Sequence, residues 1–161
     1  MTLIGFIKDK KRFLLGQSVM NLFFAAGYVF LGAISGTVAN ICTMTRNFVC
    51  IKWNLSTPLK ILFIAIQIVL TLITDDMSFM MWLPILSYSL FTWFMDSDSA
   101  KTIKVVAIAG QLLWLFYDIH YKNYSVVLFD IAAAITNSIA LISITKAEKT
   151  GSEKYDNQES K

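Results

Sequence analysis

Long apolar runs separated by short polar breaks organise this chain. Six runs stand out, over residues 13–33, 36–53, 59–74, 78–95, 103–119 and 124–144. Most approach the ~20 residues that an α-helix needs to cross ~30 Å of hydrocarbon. The breaks carry turn formers or charge: Gly32 and Gly36, Ser56-Thr57-Pro58, Asp75-Asp76, Asp96-Ser97-Asp98 and Lys122-Asn123. The pattern predicts an all-α integral membrane protein with six transmembrane helices. Run 36–53 is interrupted by Asn40, Arg46 and Asn47, and run 59–74 is short. Residues 147–161 are polar and are expected to form a disordered tail.

The residues before the first run add a stub. Residues 1–7 are apolar but reach only ~10 Å as helix, so they cannot span. They are expected to be the end of a helix whose beginning is missing; restoring it would give seven helices. Lys8, Lys10, Lys11 and Arg12 followed by an apolar run have the outline of a signal peptide. That run is too long for a typical h-region and no A-x-A site follows, so it is read as a retained span.

Composition agrees with the pattern. Hydrophobic residues make up 56% of the chain and charged residues 16%, against about 25% charged in a soluble domain. No basic face suggests nucleic-acid binding. The placement of Lys and Arg sets an orientation. Six crossings put Lys8, Lys10, Lys11, Arg12, Lys52, Lys60, Lys101, Lys104, Lys146, Lys149, Lys154 and Lys161 on one side, against Lys122 on the other. Lysine and arginine are retained in the cytoplasm. The chain is therefore expected to be multi-pass, with its C-terminus cytoplasmic. Asp75, Asp76, Asp118 and His120 should face outward.

An internal register also emerges. Sliding the chain on itself by ninety residues aligns Lys11 with Lys101, Leu22 with Leu112, Phe24 with Trp114, Asn40 with Asp130 and Asn47 with Asn137. Identities are few, but the chemistry repeats. An aromatic helix is followed by an amide or carboxylate, then by an Asn seven residues later on the same helical face. Both copies start in the cytoplasm, so the expected architecture is two parallel three-helix repeats joined by a linker helix. The first repeat covers residues 1–53 with its first helix truncated, the linker 59–74, the second repeat 78–146 and the tail 147–161.

This layout resembles the SWEET and PQ-loop transporters, and more closely the YgjV-type bacterial inner-membrane proteins. The resemblance is carried by Leu83-Pro84-Ile85, Thr92-Trp93, Trp114-Leu115-Phe116-Tyr117, Asp130 and Asn137. In the first half it is carried by Phe24, Gly32, Asn40, Arg46 and Asn47. It covers roughly residues 5–146 and implies an amino terminus shorter than usual. Three positions depart from the SWEET pattern. Ile85 rather than Gln follows Pro84, Asp118 follows Tyr117 where a Gly often stands, and Asp130 replaces an Asn expected to touch sugar. The resemblance implies a location in the bacterial plasma (inner) membrane, and it implies the fold more than a sugar substrate.

Polar residues inside the spans are the candidate site. A carboxylate near the bilayer centre costs ~2.5–3.5 kcal/mol, so Asp130 is expected to be neutral, paired or in a wet cavity. It reads either as a substrate, cation or proton site or as a neutral Asp bonded to a neighbouring helix. Arg46 either snorkels to the interface or offers an anion or ion-pair contact, with Asp130 one candidate partner. Asn40, Thr43 and Asn47 share a face, as do Asp130 and Asn137, and Gln17 and Asn21 make a third stripe. Such faces turn inward, as interhelical glue or as the lining of a cavity. Pro84 removes a backbone donor and is either a gating hinge or a tolerated kink. Trp53, Trp82, Trp93 and Tyr124 suit interfacial anchors, whereas the repeat assigns Trp114 and Tyr117 to a cavity wall.

Enzyme signatures are missing: no H-E-x-x-H, G-x-S-x-G or P-loop occurs, and His120 is the one histidine. No acidic partner for Asp130 is expected within a span, and no catalytic residue is assigned. Cys42 and Cys50 lie too far apart along one helix to bridge and read as packing residues, so no metal site and no cofactor is expected. The expected partners are the lipid bilayer and a small polar solute, with self-association left open and no nucleic acid. Two functions fit. One is a small-solute transporter or facilitator with a substrate-binding cavity at the midplane; the other is a non-transporting assembly or regulatory subunit. Reporter fusions at Lys161 and in the Asp75-Asp76 loop should report opposite sides of the membrane; signals from the same side would sink the topology.

Overall fold

The computed structural model describes residues 10–53, 55–74, 78–97 and 99–159. The apolar stub of residues 1–7 and the pair Asp75-Asp76 lie outside the described residues. Among those described, the secondary structure is helical: α1 (Lys10–Phe30), α2 (Ile34–Lys52), α3 (Thr57–Thr74), a short 3-10 turn (Phe79–Met81), α4 (Trp82–Phe94), α5 (Ala100–His120) and α6 (Tyr124–Glu159). The expected runs and the observed helices correspond one to one. The chain is an all-α membrane protein. Three helices, Thr57–Thr74, Lys101–His120 and Tyr124–Lys146, are long and apolar enough to cross a membrane, with mean hydropathies of 2.0, 1.4 and 1.9. Leu14–Phe30 and Phe79–Phe94 are shorter apolar helices.

Most boundaries lie within four residues of expectation, and one lies further off. α6 continues to Glu159, where the sequence reading ends the span at residue 144 and places a disordered tail. Extending an existing helix needs no new nucleus, and Ala147, Glu148 and Lys149 are good helix formers.

The distribution of side chains is that of a membrane protein. Phe30 is 90% exposed, Ile73 76%, Phe23 71% and Leu128 70%, whereas Arg46, Asn47, Gln67 and Asp118 are at most 1% exposed. Water would reverse that preference; hydrocarbon enforces it, because it offers polar groups no partner. Trp53, Trp82, Trp93 and Tyr124 are all exposed near helix ends, as expected of interfacial anchors. Cys42 and Cys50 pack in an apolar cluster with Leu14, Leu55, Phe63 and Tyr88. A second cluster joins Tyr28, Ala33 and Tyr117, with Phe24 and Trp114 against it. Lys60 of α3 donates to the Trp93 carbonyl and lies 2.5 Å from Asp96, tying the linker helix to the end of α4.

The ninety-residue register has several local counterparts. α1 and α5 end ninety positions apart, and α2 and α6 start ninety positions apart. Both α1 and α5 end in a Schellman turn. Ala33 N–H donates to the Tyr28 carbonyl at 2.9 Å, and Asn123 N–H to the Asp118 carbonyl at 2.9 Å. The residue in the left-handed region is Gly32 in the first turn (φ 68°) and Lys122 in the second (φ 57°). Tyr28 Oη donates to Asp118 Oδ1 at 2.6 Å, and these two residues are also ninety apart. Under that register they are equivalent positions.

The two turns predict opposite responses. Nothing lies within 4 Å of a Cβ placed on Gly32, so backbone conformation alone decides its tolerance. Gly32→Ala should destabilise by about 1–2 kcal/mol, the cost of a side chain in the left-handed region. Lys122→Gly should stabilise, because it relieves that cost. Thermal unfolding in detergent would contradict this if both variants moved the same way.

Candidate functional site

A cavity of about 250 Å³ lies among α1, α2, α4, α5 and α6. α3 contributes no lining residue, in keeping with a linker that packs on α2 and α4 from outside. The inward faces arise from helical spacing. Gln17, Asn21, Phe24 and Tyr28 recur every three or four residues along α1, and so do Asn40, Thr43 and Arg46 along α2. From α6 come Phe129, Asp130 and Asn137, and from α5 Lys104, Trp114 and Asp118.

Five of the expected site residues line this cavity together: Asn40, Arg46, Trp114, Asp130 and Asn137. Asn40 Nδ2 donates to the carbonyl of Gly36 at 2.8 Å. Asp130 is 5% exposed, and its Oδ2 is buried without a hydrogen-bond partner. Arg46 does not snorkel. It is 1% exposed, donates to Thr92 Oγ1 at 2.8 Å and Asn47 Oδ1 at 3.0 Å, and lies over the rings of Tyr88 and Phe91. Neutral acceptors and ring faces replace the direct Asp130 partner, which lies further along the bundle.

Three expected site residues do something else. Asn47 is fully buried behind Arg46. Its Nδ2 donates to Gln17 Oε1 at 3.0 Å, so it joins α2 to α1 and positions the guanidinium rather than lining the cavity. Tyr117 is also fully buried and is not a wall residue. Gly36 N–H donates to its hydroxyl at 2.7 Å, and Ser35 Oγ lies 2.9 Å away. The N-cap of α2, Ala33, has no capping side chain. The first backbone N–H groups of a helix need an acceptor, and Tyr117 supplies one from α5. A Cβ on Gly36 would stand 2.8 Å from the Tyr117 ring, so only glycine admits this approach. Pro84 lies in the first turn of α4, where a missing N–H breaks no helical bond. There it is no mid-helix kink; it closely follows the 3-10 turn that leads into α4. Its carbonyl accepts from Gln67 Nε2 at 3.4 Å.

Other residues of the site escape the sequence reading. Asp118 does not face outward. It is fully buried, accepts from Tyr28, and interacts side chain to side chain with Asp130. Asp130 therefore has an acidic neighbour within a span, contrary to expectation. The signal was available: ninety residues before Asp118 stands Tyr28, a buried-type residue rather than a loop residue. Lys104, counted only as a topology charge, lines the cavity and donates to Asn137 Oδ1 at 3.0 Å. Among the described residues, no cluster of three or more His, Cys, Asp or Glu could hold a metal.

An apolar exterior around a buried polar cavity defines a helical integral membrane protein with a solute-sized internal site. A family model for bacterial inner membrane proteins, Imp-YgjV, matches residues 1–148, and the chain belongs to that family. No curated protein and no solved structure matches the chain. The expected likeness to SWEET and PQ-loop transporters is not shown by these comparisons.

Accessibility tests the cavity directly. With Cys42 and Cys50 changed to alanine, a cysteine at Asn40 or at Asp130 should react with a polar thiol reagent. A cysteine at Asn47 or Tyr117, both fully buried, should stay silent. Equal silence at all four would mean dry interhelical glue.

Proposed function

We propose that the protein is a small-solute transporter or facilitator that works from this cavity. The observation that supports it is the buried pair Asp118 and Asp130. Both line a space of about 250 Å³, and each has a buried Oδ2 that no donor reaches other than the neighbouring carboxyl. Structural glue would satisfy those atoms, because an unmet buried acceptor costs about 1–3 kcal/mol and a charged one more. A site that alternately holds water, a proton and a ligand needs them unmet. Placement between two sets of helices suits alternating access about a fixed site.

Asp130 sets the charge of the site in this reading. The groups around the pair are the Tyr28 hydroxyl, which donates to Asp118, Asn123, which bonds its carboxyl, and the neighbouring Tyr117. Arg46 and Lys104 stand further along the cavity. Two adjacent carboxyls cannot both ionise freely, so the pair takes up or releases a proton as ligand arrives.

The test is solute uptake into proteoliposomes. Asp130→Asn should abolish the pH or cation dependence of uptake while the protein stays folded, since Asn40 occupies the position aligned with it. Uptake in the Asn variant with an unchanged pH profile would reduce Asp130 to a structural residue.

A further inference from the structure

The charges in the cavity are sorted by depth. Arg46 Nη2 bonds Asn47 Oδ1, and Lys104 Nζ bonds Asn137 Oδ1. Asn47 and Asn137 are aligned positions in the ninety-residue register, so both cations sit at one level. Asp118 and Asp130 interact at the other level, toward the Schellman turns. Asp130 and Asn137 are seven residues apart on α6, or ~10 Å of helix.

Neither set neutralises the other. The hydrogen bonds recorded for Arg46 and Lys104 go to neutral Thr92, Asn47 and Asn137. Among the described residues, the ion pair recorded is Lys60 with Asp96, outside the cavity. Arg46 Nε is buried without a hydrogen-bond partner, as are the Oδ2 atoms of both carboxyls. Buried charges of both signs, held apart and incompletely bonded, are costly unless a third body bridges them.

We propose that the cavity binds neutral zwitterionic amino acids, the ammonium at Asp118 and Asp130 and the carboxylate at Arg46 and Lys104. This rests on the transporter reading and names its substrate class. Both levels open into the one cavity, so a ligand that carries both charges can meet them together. Phe24, Trp114 and Phe129 line the cavity beside polar Asn21, Asn40 and Gln111. The rings suit an apolar side chain, and the amides suit the polar ends of the ligand.

A charge-deletion series tests this on the purified full chain in detergent. The probes are L-leucine, 3-methylbutylamine, which lacks the carboxylate, and 4-methylpentanoate, which lacks the amine. Binding is read by isothermal titration calorimetry and by fluorescence of Trp114. Leucine should bind at least tenfold more tightly than either single-charge probe. Asp130→Asn should weaken leucine at least tenfold and leave 4-methylpentanoate unchanged. Lys104→Gln should weaken leucine and leave 3-methylbutylamine unchanged; it avoids the fully buried Arg46, whose loss threatens folding. Equal binding of a single-charge probe and leucine would overturn the proposal, and so would equal weakening of all three probes in either variant. If leucine does not bind but cysteines at Asn40 and Asp130 react and another solute is taken up, the amino-acid proposal falls and the transporter reading stands. If those cysteines stay silent and no solute is taken up, both fall.

Discussion

Hydrocarbon cannot hydrogen-bond, and the rest of this structure follows from that. Each backbone N–H and C=O must be met within the protein, so the spans are helices. Polar side chains must likewise turn toward other helices. The outcome is Phe30 almost fully exposed and Arg46 almost fully buried. A soluble core of this size would exclude such a guanidinium. Here the interior is the place where it meets hydroxyl, amide and aromatic faces at once.

Two fastenings keep the cavity open between its ends. At the turn end, Tyr117 caps α2 from α5 and Tyr28 of α1 reaches Asp118 of α5, so the two sets of helices meet through hydrogen bonds rather than packing alone. The rings of Tyr28, Trp114, Tyr117 and Tyr121 stack or meet edge-on around them. At the opposite end, Lys60 ties α3 to the end of α4, and the cluster of Leu14, Cys42, Cys50, Leu55 and Phe63 fills the space. Between these ends stand polar groups too far apart to satisfy one another. That arrangement makes the cavity a candidate binding site rather than a packing defect.

Much of the site is legible in the sequence because intramembrane polarity is costly and therefore informative. Asn40, Arg46, Asp130 and Asn137 stand out against apolar neighbours, and all four line the cavity. The errors share one cause. Spacing says which face a side chain is on, but not whether the neighbouring helix covers it. Asn47 and Tyr117 lie on inward faces, yet Arg46 stands in front of one and the start of α2 meets the other. Asp118 and Lys104 were assigned by proximity to helix ends. A long helix can carry such a residue inward, and only the packing of α5 against its neighbours shows that it does.

The sequence by itself determined the class and, to within a few residues for all but the end of α6, where the apolar helices lie, because hydropathy and helix length answer to the bilayer alone. It also contains the ninety-residue register, with which the two Schellman turns and the starts of α2 and α6 agree locally. The tertiary structure decided which polar groups meet. Tyr28 with Asp118, Asp118 with Asp130, and Lys104 with Asn137 join residues on different helices. Their meeting depends on crossing positions and helix rotation, set by side-chain packing across the whole bundle. No pattern within a single helix encodes that.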